Sequence, residues 1–198
     1  DATKTAIADA DGDTKIQVEE SADEDIIRFD IGGTEMWRMT EDRLVPIKTP
    51  SLTLIGQNAG AAITSGTDNH FIGKNSGSST TTGSYNVGVG SGILLDNTTG
   101  GQNVAVGHQS LYNNTTGDDN TAIGFQSLAF STASSNSAFG YKALYAKTTG
   151  ANNLGLGKAS LRSNTTGDEN VCLGAGSGFS NTTGDLNVFL GYTAGYYE

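Results

Sequence analysis

Few residues of this 198-residue chain have a type and spacing that could carry chemistry. Asp9, Asp11 and Asp13 alternate, and Glu20 lies downstream. This arrangement partly fits a calcium-binding loop, in which oxygen ligands at alternate positions surround a hard cation. Thr14, however, stands where that loop needs Gly. The sequence therefore favours a solvated acidic turn before a strand, with a calcium site as the alternative.

The remaining reactive residue types do not form a catalytic group. His70 and His108 are the only His residues, and neither has a carboxylate or Cys partner that recurs with it. Cys172 occupies a position otherwise held by small residues, so we expect a packed side chain and not a nucleophile. Paired acids such as Asp118–Asp119 are expected to form a solvated ladder and not the carboxylate pair of a glycosidase. The sequence thus predicts a protein that is not an enzyme and has no cofactor beyond the calcium alternative.

Composition divides the chain and excludes several functions. Residues 1–50 hold 13 of the 21 acidic residues and 3 Gly, whereas residues 51–198 hold 25 Gly and all 16 Asn. Pro46 and Pro50 mark the change, so we place a domain boundary at about residue 50. A net charge of −10 disfavours nucleic-acid binding. No apolar run is long enough for a membrane span, and one Cys allows neither a disulfide nor a Cys-based zinc site.

Residues 1–50 are predicted to form a small region of short β-strands. Thr14–Glu20 alternates between apolar and polar residues, and so does the stretch from Ile27 to Ile31. Gly32–Gly33 is typical of a two-residue hairpin that leads into Glu35–Met39. Because so small a sheet is only marginally stable alone, we expect it to pair with other chains or to pack on the next domain.

A repeat of 17 residues fills the rest of the chain. The block Asn103-Val-Ala-Val-Gly107 recurs as Asn120-Thr-Ala-Ile-Gly124. After a first copy that starts at Leu52, the repeat anchors are Asn69, Asn86, Asn103, Asn120, Asn136, Asn153, Asn170 and Asn187. A Gly follows four residues after each copy's first position, at Gly56, Gly73, Gly90, Gly107, Gly124, Gly140, Gly157, Gly174 and Gly191. These are nine copies; the last stops after 12 residues, and we expect the parent protein to continue.

Each position of the copy has a predicted role. The residue three after the anchor is always apolar, as at Val106 and Ile123, and is predicted to face the inside of the coil. The residue two after the anchor is often small and is predicted to face the other way, where it could touch another chain. The Gly after the strand indicates a positive φ or a close backbone approach at a corner. Runs such as Thr115-Thr116-Gly117 mark a second corner.

The expected fold is all-β: a parallel β-solenoid or β-roll of 17-residue coils over residues 51–198, preceded by the small β-strand region. A 17-residue contour of ~55 Å suffices for one coil of two or three short strands, and the period is too short for helical repeats. The anchor asparagines are expected to stack as a hydrogen-bonding ladder along a corner. A slender coil leaves faces to bury, so we expect it to associate with other copies of the chain.

The repeat resembles those of two groups of surface proteins. The motif Asn-x-Ala-[Val/Ile]-Gly, as in Asn103–Gly107, is similar to the head repeats of trimeric autotransporter adhesins. The longer form, Asn120-Thr-Ala-Ile-Gly-Phe-Gln-Ser-Leu128, resembles bacteriophage tail-fibre repeats. In most copies a Thr-Thr-Gly turn follows it. This resemblance implies a homotrimeric fibre segment of the virion tail, joined to other tail proteins. Such a segment would act as a rigid spacer and as an adhesin for a host-surface glycan or protein. The alternative is a trimeric adhesin head on a bacterial cell surface.

Surface residues allow further interpretations. The stacked Thr residues of the second corner suggest an ice-binding β-solenoid as a third function. Five asparagines begin an Asn-x-Thr glycosylation pattern that the repeat itself generates: Asn97, Asn113, Asn114, Asn164 and Asn181. Aromatic residues at variable positions can stack on sugars or face neighbouring subunits, and we favour the second for any single residue. They are Tyr112, Phe125, Phe130, Tyr141, Tyr145, Tyr192, Tyr196 and Tyr197.

Overall fold

The computed structural model divides the chain into two compact units, Asp1–Leu52 and Thr53–Glu198. It describes residues 5–8, 15–21, 24–31, 34–39, 44–46, 52–146 and 148–197. Asp9, Asp11, Asp13 and the Gly32–Gly33 pair lie outside these described residues. The calcium alternative and the hairpin turn therefore stay predictions.

The first unit is a five-stranded antiparallel sheet in which each strand pairs with the next along the chain. Its strands are β1 (Thr5–Ala8), β2 (Lys15–Ser21), β3 (Glu24–Ile31), β4 (Thr34–Met39) and β5 (Leu44–Pro46). Strands β2, β3 and β4 coincide with the alternating segments of the sequence, whereas β1 and β5 were not predicted. Pro46 lies in the edge strand β5 opposite Trp37, a position where Pro is tolerated because an edge strand leaves one side unpaired.

The second unit is a β-solenoid, which confirms the predicted fold class. Nine parallel strands of three residues each form one sheet in sequence order. They are β6 (Thr53–Ile55), β7 (His70–Ile72), β8 (Val87–Val89), β9 (Val104–Val106), β10 (Thr121–Ile123), β11 (Ser137–Phe139), β12 (Leu154–Leu156), β13 (Val171–Leu173) and β14 (Val188–Leu190). Equivalent residues of successive coils lie side by side, as Ala122 does with Ala105. The described residues contain no helix.

Each coil contains one strand among the described residues, so the expectation of two or three strands per coil is wrong. The reason lies in four positions per coil at which φ is positive. In the coil that starts at Asn103 they are Gly107 (117°), Gln109 (57°), Leu111 (48°) and Asp119 (58°). These positions bend the backbone away from an extended conformation. The turns still bond to the next coil, as the Leu111 N–H does to the carbonyl of Ser127 at 3.0 Å.

The side chains of each solenoid strand point to the faces opposite to those predicted. The small residue two after the anchor is wholly buried, as are Ala105 and Ala122. The apolar residue three after the anchor lies outside: Ile123 is 39% exposed and Val106 is only half-buried. The prediction was wrong because the interior of the coil is narrow. The inward position holds a small residue in most coils, and a large one such as Phe71 only where the residue six positions later is Gly.

Two facing positions of each coil share the interior volume. One is the middle residue of the strand, and the other is the residue six positions later, which faces it across the interior. At Gly77 an added Cβ would lie 2.3 Å from Cε2 of the Phe71 ring, so a large residue in the middle of the strand leaves no room for a side chain at the facing position. Where the strand centre is Ala or Gly, a Leu occupies the facing position instead, as Leu128 does opposite Ala122. Those five leucines adopt φ of 46° to 49°, a conformation that L-residues rarely take. The pairs are Leu54–Gly60, Phe71–Gly77, Gly88–Leu94, Ala105–Leu111, Ala122–Leu128, Ala138–Leu144, Gly155–Leu161, Cys172–Gly178 and Phe189–Gly195.

Candidate functional site

The eight anchor asparagines form an unbroken ladder along one corner. In every step the backbone N–H of one anchor donates to Oδ1 of the anchor one coil earlier. Asn103, for example, donates to Asn86 Oδ1 at 3.1 Å, and its Nδ2 also donates to the Gly117 carbonyl at 2.9 Å. Buried amides need such partners because an unsatisfied polar group costs free energy. The ladder therefore has a structural role.

Two constraints act on the Gly that follows each strand, and both are present at eight of the nine positions. All nine of these glycines have φ between 117° and 141°, which L side chains rarely adopt. In addition, a Cβ added at Gly124 would lie 2.6 Å from the carbonyl oxygen of Gly140 in the next coil. Both a positive φ and a close backbone approach thus act at this corner.

A second row of buried asparagines, which the sequence reasoning missed, stabilises the Thr-Thr-Gly corner. Asn114 Oδ1 accepts a bond from the Gly117 N–H at 3.1 Å, and its Nδ2 donates to the Gly117 carbonyl at 2.9 Å and to Asn97 Oδ1 at 3.2 Å. Asn97, Asn164 and Asn181 occupy the same position of other coils and are also buried. The available signal was their constant place eleven residues after the anchor. Because these amides are buried and bonded, the folded chain does not present them for glycosylation.

The threonines at this corner bond to the coil itself. Thr98 Oγ1 donates to the carbonyl of Thr115 at 2.8 Å, and Thr165 Oγ1 donates to that of Thr182 at 2.9 Å. In these two Thr-Thr pairs the first Thr uses its hydroxyl hydrogen to join adjacent coils. The second Thr is exposed, as at Thr116 and Thr166.

The outer face of the solenoid sheet is a regular surface of the second unit. The outer face consists of the residues one and three positions after the first residue of each copy. Its second column is apolar throughout: Ile55, Ile72, Val89, Val106, Ile123, Phe139, Leu156, Leu173 and Leu190. Its first column is mixed: Thr53, His70, Val87, Val104, Thr121, Ser137, Leu154, Val171 and Val188. Exposed apolar side chains in one continuous patch mark interaction surfaces in soluble proteins.

Aromatic rings stack from coil to coil beside this face. His108, Phe125 and Tyr141 lie at the same position of three successive coils, and their ring centroids are 5.5 Å apart in both steps. Four residues further round the coil, Phe179 and Tyr196 stack at 4.7 Å. The rings of different coils thus form columns and are not isolated surface residues.

The other residues singled out from the sequence occupy structural positions. His70 is exposed on the outer face, and Glu20 lies in β2. Asp118 Oδ1 accepts a hydrogen bond from the Gly101 N–H at 2.7 Å, so this carboxylate joins two coils. Burial of Cys172 raises the pKa of its thiol to about 12, which leaves almost no thiolate near neutral pH. Among the described residues no group of three or more His, Cys, Asp or Glu could hold a metal ion.

Comparison with known proteins gives no relative: no family model, no curated protein and no solved structure matches the chain. In the described part of the chain, no helix has the length and apolar character needed to cross a membrane.

Proposed function

We propose that the chain is a structural segment of a bacteriophage tail fibre that works as a homotrimer, as a rigid spacer and as a host-attachment surface. Its place would be the virion tail, where it would join other tail proteins. The observation that carries the proposal is the outer face, in which an apolar column, exposed or half-buried at every step, continues over nine strands. The repeat's resemblance to tail-fibre repeats supports the phage assignment.

Rigidity follows from the way the coils are joined. The backbone of each coil donates to its neighbour on the strand side, as Gly124 N–H does to the Val106 carbonyl at 2.8 Å. It does so again at the Thr corner, where the Thr98 N–H donates to the Thr115 carbonyl at 2.8 Å. Bending the solenoid would break several of these bonds at once. A stack bonded around its circumference is suited to the role of a spacer.

Self-association is the simplest use of the outer face. Since large side chains already fill the interior of each coil, the apolar residues of the outer face can be buried only against something outside the coil. A second copy offers the same apolar column with the same spacing between coils. Parallel copies around a symmetry axis would cover it along its whole length.

Light scattering on the purified chain tests the association. We expect a mass three times the 20.4 kDa of one chain. Ile123→Glu, which places a charge on the outer face, should reduce the mass to that of one chain. Thr116→Glu, which adds the same charge at the exposed second corner, is the matched control and should keep the trimer. A wild-type chain that remains monomeric at high concentration would refute the association, provided its circular dichroism shows folded β-structure.

Labelling of virions tests the assignment to a phage tail. Gold-conjugated antibodies to the solenoid should decorate tail fibres in negative-stain images of particles that carry this chain. Decoration of a bacterial surface, together with a membrane-anchor domain in the full-length gene, would instead support a cell-surface adhesin head. Thermal hysteresis of the purified chain would support the third function, ice binding.

A further inference from the structure

Positive charge in the solenoid is concentrated in two adjacent coils. Residues 53–198 contain five basic residues, and four of them lie between positions 142 and 162. Six of the eight acidic residues of this unit lie instead in the two positions before an anchor, as Asp168 and Glu169 do. Acids and bases thus occupy different positions around the coil. One side of these two coils is positive on a unit that is acidic as a whole.

The cations on this side lie over aromatic rings. We call cationic ladder the group Tyr141, Lys142, Tyr145, Lys158, Arg162 and Phe179. Lys142 Nζ lies 5.4 Å from the centroid of Tyr141 and 4.8 Å from that of Tyr145. Arg162 Cζ lies 5.7 Å from the centroid of Tyr145 and 5.4 Å from that of Phe179. Lys158 Nζ lies 5.9 Å from the Tyr141 centroid. Rings and cations therefore alternate in one connected surface.

The cationic ladder is held in place and remains accessible. Tyr141 is 47% exposed, Lys158 is exposed, and Tyr145 and Arg162 are half-buried. The coils are joined by backbone hydrogen bonds and the cations rest on the rings, so the site is largely arranged before a ligand binds. A cation over an aromatic face also keeps its charge available for a second partner on its solvent side.

The alternation of ring and cation selects the chemistry of the ligand. The ligand must offer apolar faces to the rings and negative charges to the cations at intervals between them. An acidic oligosaccharide has this pattern, because its sugar rings carry C–H faces and its carboxylates or sulfates are spaced along the chain. A nucleic acid fits less well, since binding to it depends on neutralising many successive phosphates, and this unit is acidic overall.

We propose that the cationic ladder is a binding site for an anionic oligosaccharide. The acidic groups of the ligand pair with Lys158 and Arg162, and its sugar faces pack on the exposed parts of Tyr141 and Tyr145. The inference rests on the proposed attachment function, since it names the ligand class that the attachment surface takes. Lys142 lies between the two tyrosines and keeps the charge of the site positive.

Calorimetric titration of the purified chain tests the proposal with four probes: oligogalacturonate for carboxylates, heparin oligosaccharide for sulfates, neutral dextran, and oligo(dT). We expect one or both acidic saccharides to bind, with an affinity that falls as salt is added. Dextran and oligo(dT) should not bind. Arg162→Gln and Lys158→Gln should each weaken binding about tenfold or more, because each removes a charge-assisted contact.

Lys74→Gln is the matched control. Lys74 is exposed at the same coil position as Lys158 but lies outside the cationic ladder, so its loss should leave the affinity unchanged. The proposal is overturned if neither acidic saccharide binds at low salt, if oligo(dT) binds as tightly as they do, or if Lys74→Gln weakens binding as much as Lys158→Gln. Light scattering on the same samples separates the two proposals: a trimer that binds no saccharide refutes this site alone, and a monomer that binds refutes the trimer alone.

Discussion

Exchanging the two facing core residues of one coil tests whether they share a single volume. Ala122 and Leu128 are both wholly buried, and their coil contains the small–large arrangement. In another coil the same two positions hold Phe71 and Gly77, where an added Cβ on the Gly would overlap the ring. The double variant Ala122→Phe with Leu128→Gly would copy that second arrangement into the first coil.

The single changes should each be costly. Leu128→Gly leaves a cavity in a fully buried site and should lower the free energy of unfolding by about 3 kcal/mol. Relief of the unfavourable φ of Leu128 (49°) is largely offset by the greater freedom that Gly has in the unfolded chain. Ala122→Phe alone forces a ring against Leu128 and should lower the free energy of unfolding by about 2 kcal/mol.

The double variant should lose far less free energy of unfolding than the two single variants lose together. The Phe ring fills the volume that Leu128 leaves, so we expect a loss of about 2 kcal/mol or less and a coupling energy of about 3 kcal/mol or more. Urea denaturation at one protein concentration, followed by circular dichroism, measures all four chains. Ala122→Phe combined with Leu161→Gly, two coils away, is the control and should be additive within about 0.5 kcal/mol. A double variant as unstable as the sum of its single changes would refute the shared volume.

Four further predictions concern the ladders and the core. Gly124→Ala should lower the free energy of unfolding by at least about 2 kcal/mol. The control is Gly191→Ala, which should cost clearly less, because Gly191 has a similar φ but no described atom lies within 4 Å of its added Cβ. Equal losses in urea titrations would contradict the close approach at Gly124. Asn153→Asp removes a buried donor and should cost about 3 kcal/mol or more, whereas Asn152→Asp next to it is exposed and should change stability by less than about 0.5 kcal/mol. Cys172, with its pKa raised to about 12, should react with a thiol reagent at pH 8 only as fast as the chain unfolds, and reaction at the rate of a free thiol would contradict its burial. Because the unfolded thiol ionises at lower pH than the folded one, stability should also fall as the pH rises above about 9.

The solenoid and its period were predictable because backbone constraints select particular residue types. A corner with φ near 130° and a carbonyl oxygen against the Cα position admits only Gly, so Gly recurs at Gly107 and Gly124. A buried corner whose N–H and C=O groups need partners from the neighbouring coil selects Asn, so Asn recurs at Asn103 and Asn120. Such requirements repeat in every coil and therefore appear in the sequence as a period.

The direction of the strand was not predictable from apolar character alone. In a thick core the most apolar column points inward, and that reasoning placed Ile123 inside. In this solenoid the strand lies opposite a turn of the same coil, and their separation leaves space for one large side chain. Phe71 and Gly77 show that rule, but only after the structure places the two positions opposite each other. The cationic ladder was missed for a related reason, since Tyr145 and Arg162 differ in type although they occupy the same position of adjacent coils.

In each strand of the solenoid one residue points into the coil and the apolar residue after it points outward. Hydrophobic residues make up only 35% of the sequence, and one large side chain fills the space between facing positions of each coil. The interior of the coil therefore does not require the second apolar residue that every strand carries in all nine copies. Ile72, Val89 and Leu156 are nevertheless 39%, 42% and 46% exposed. A column this exposed would be covered by association between chains, which is the role that we propose for the outer face.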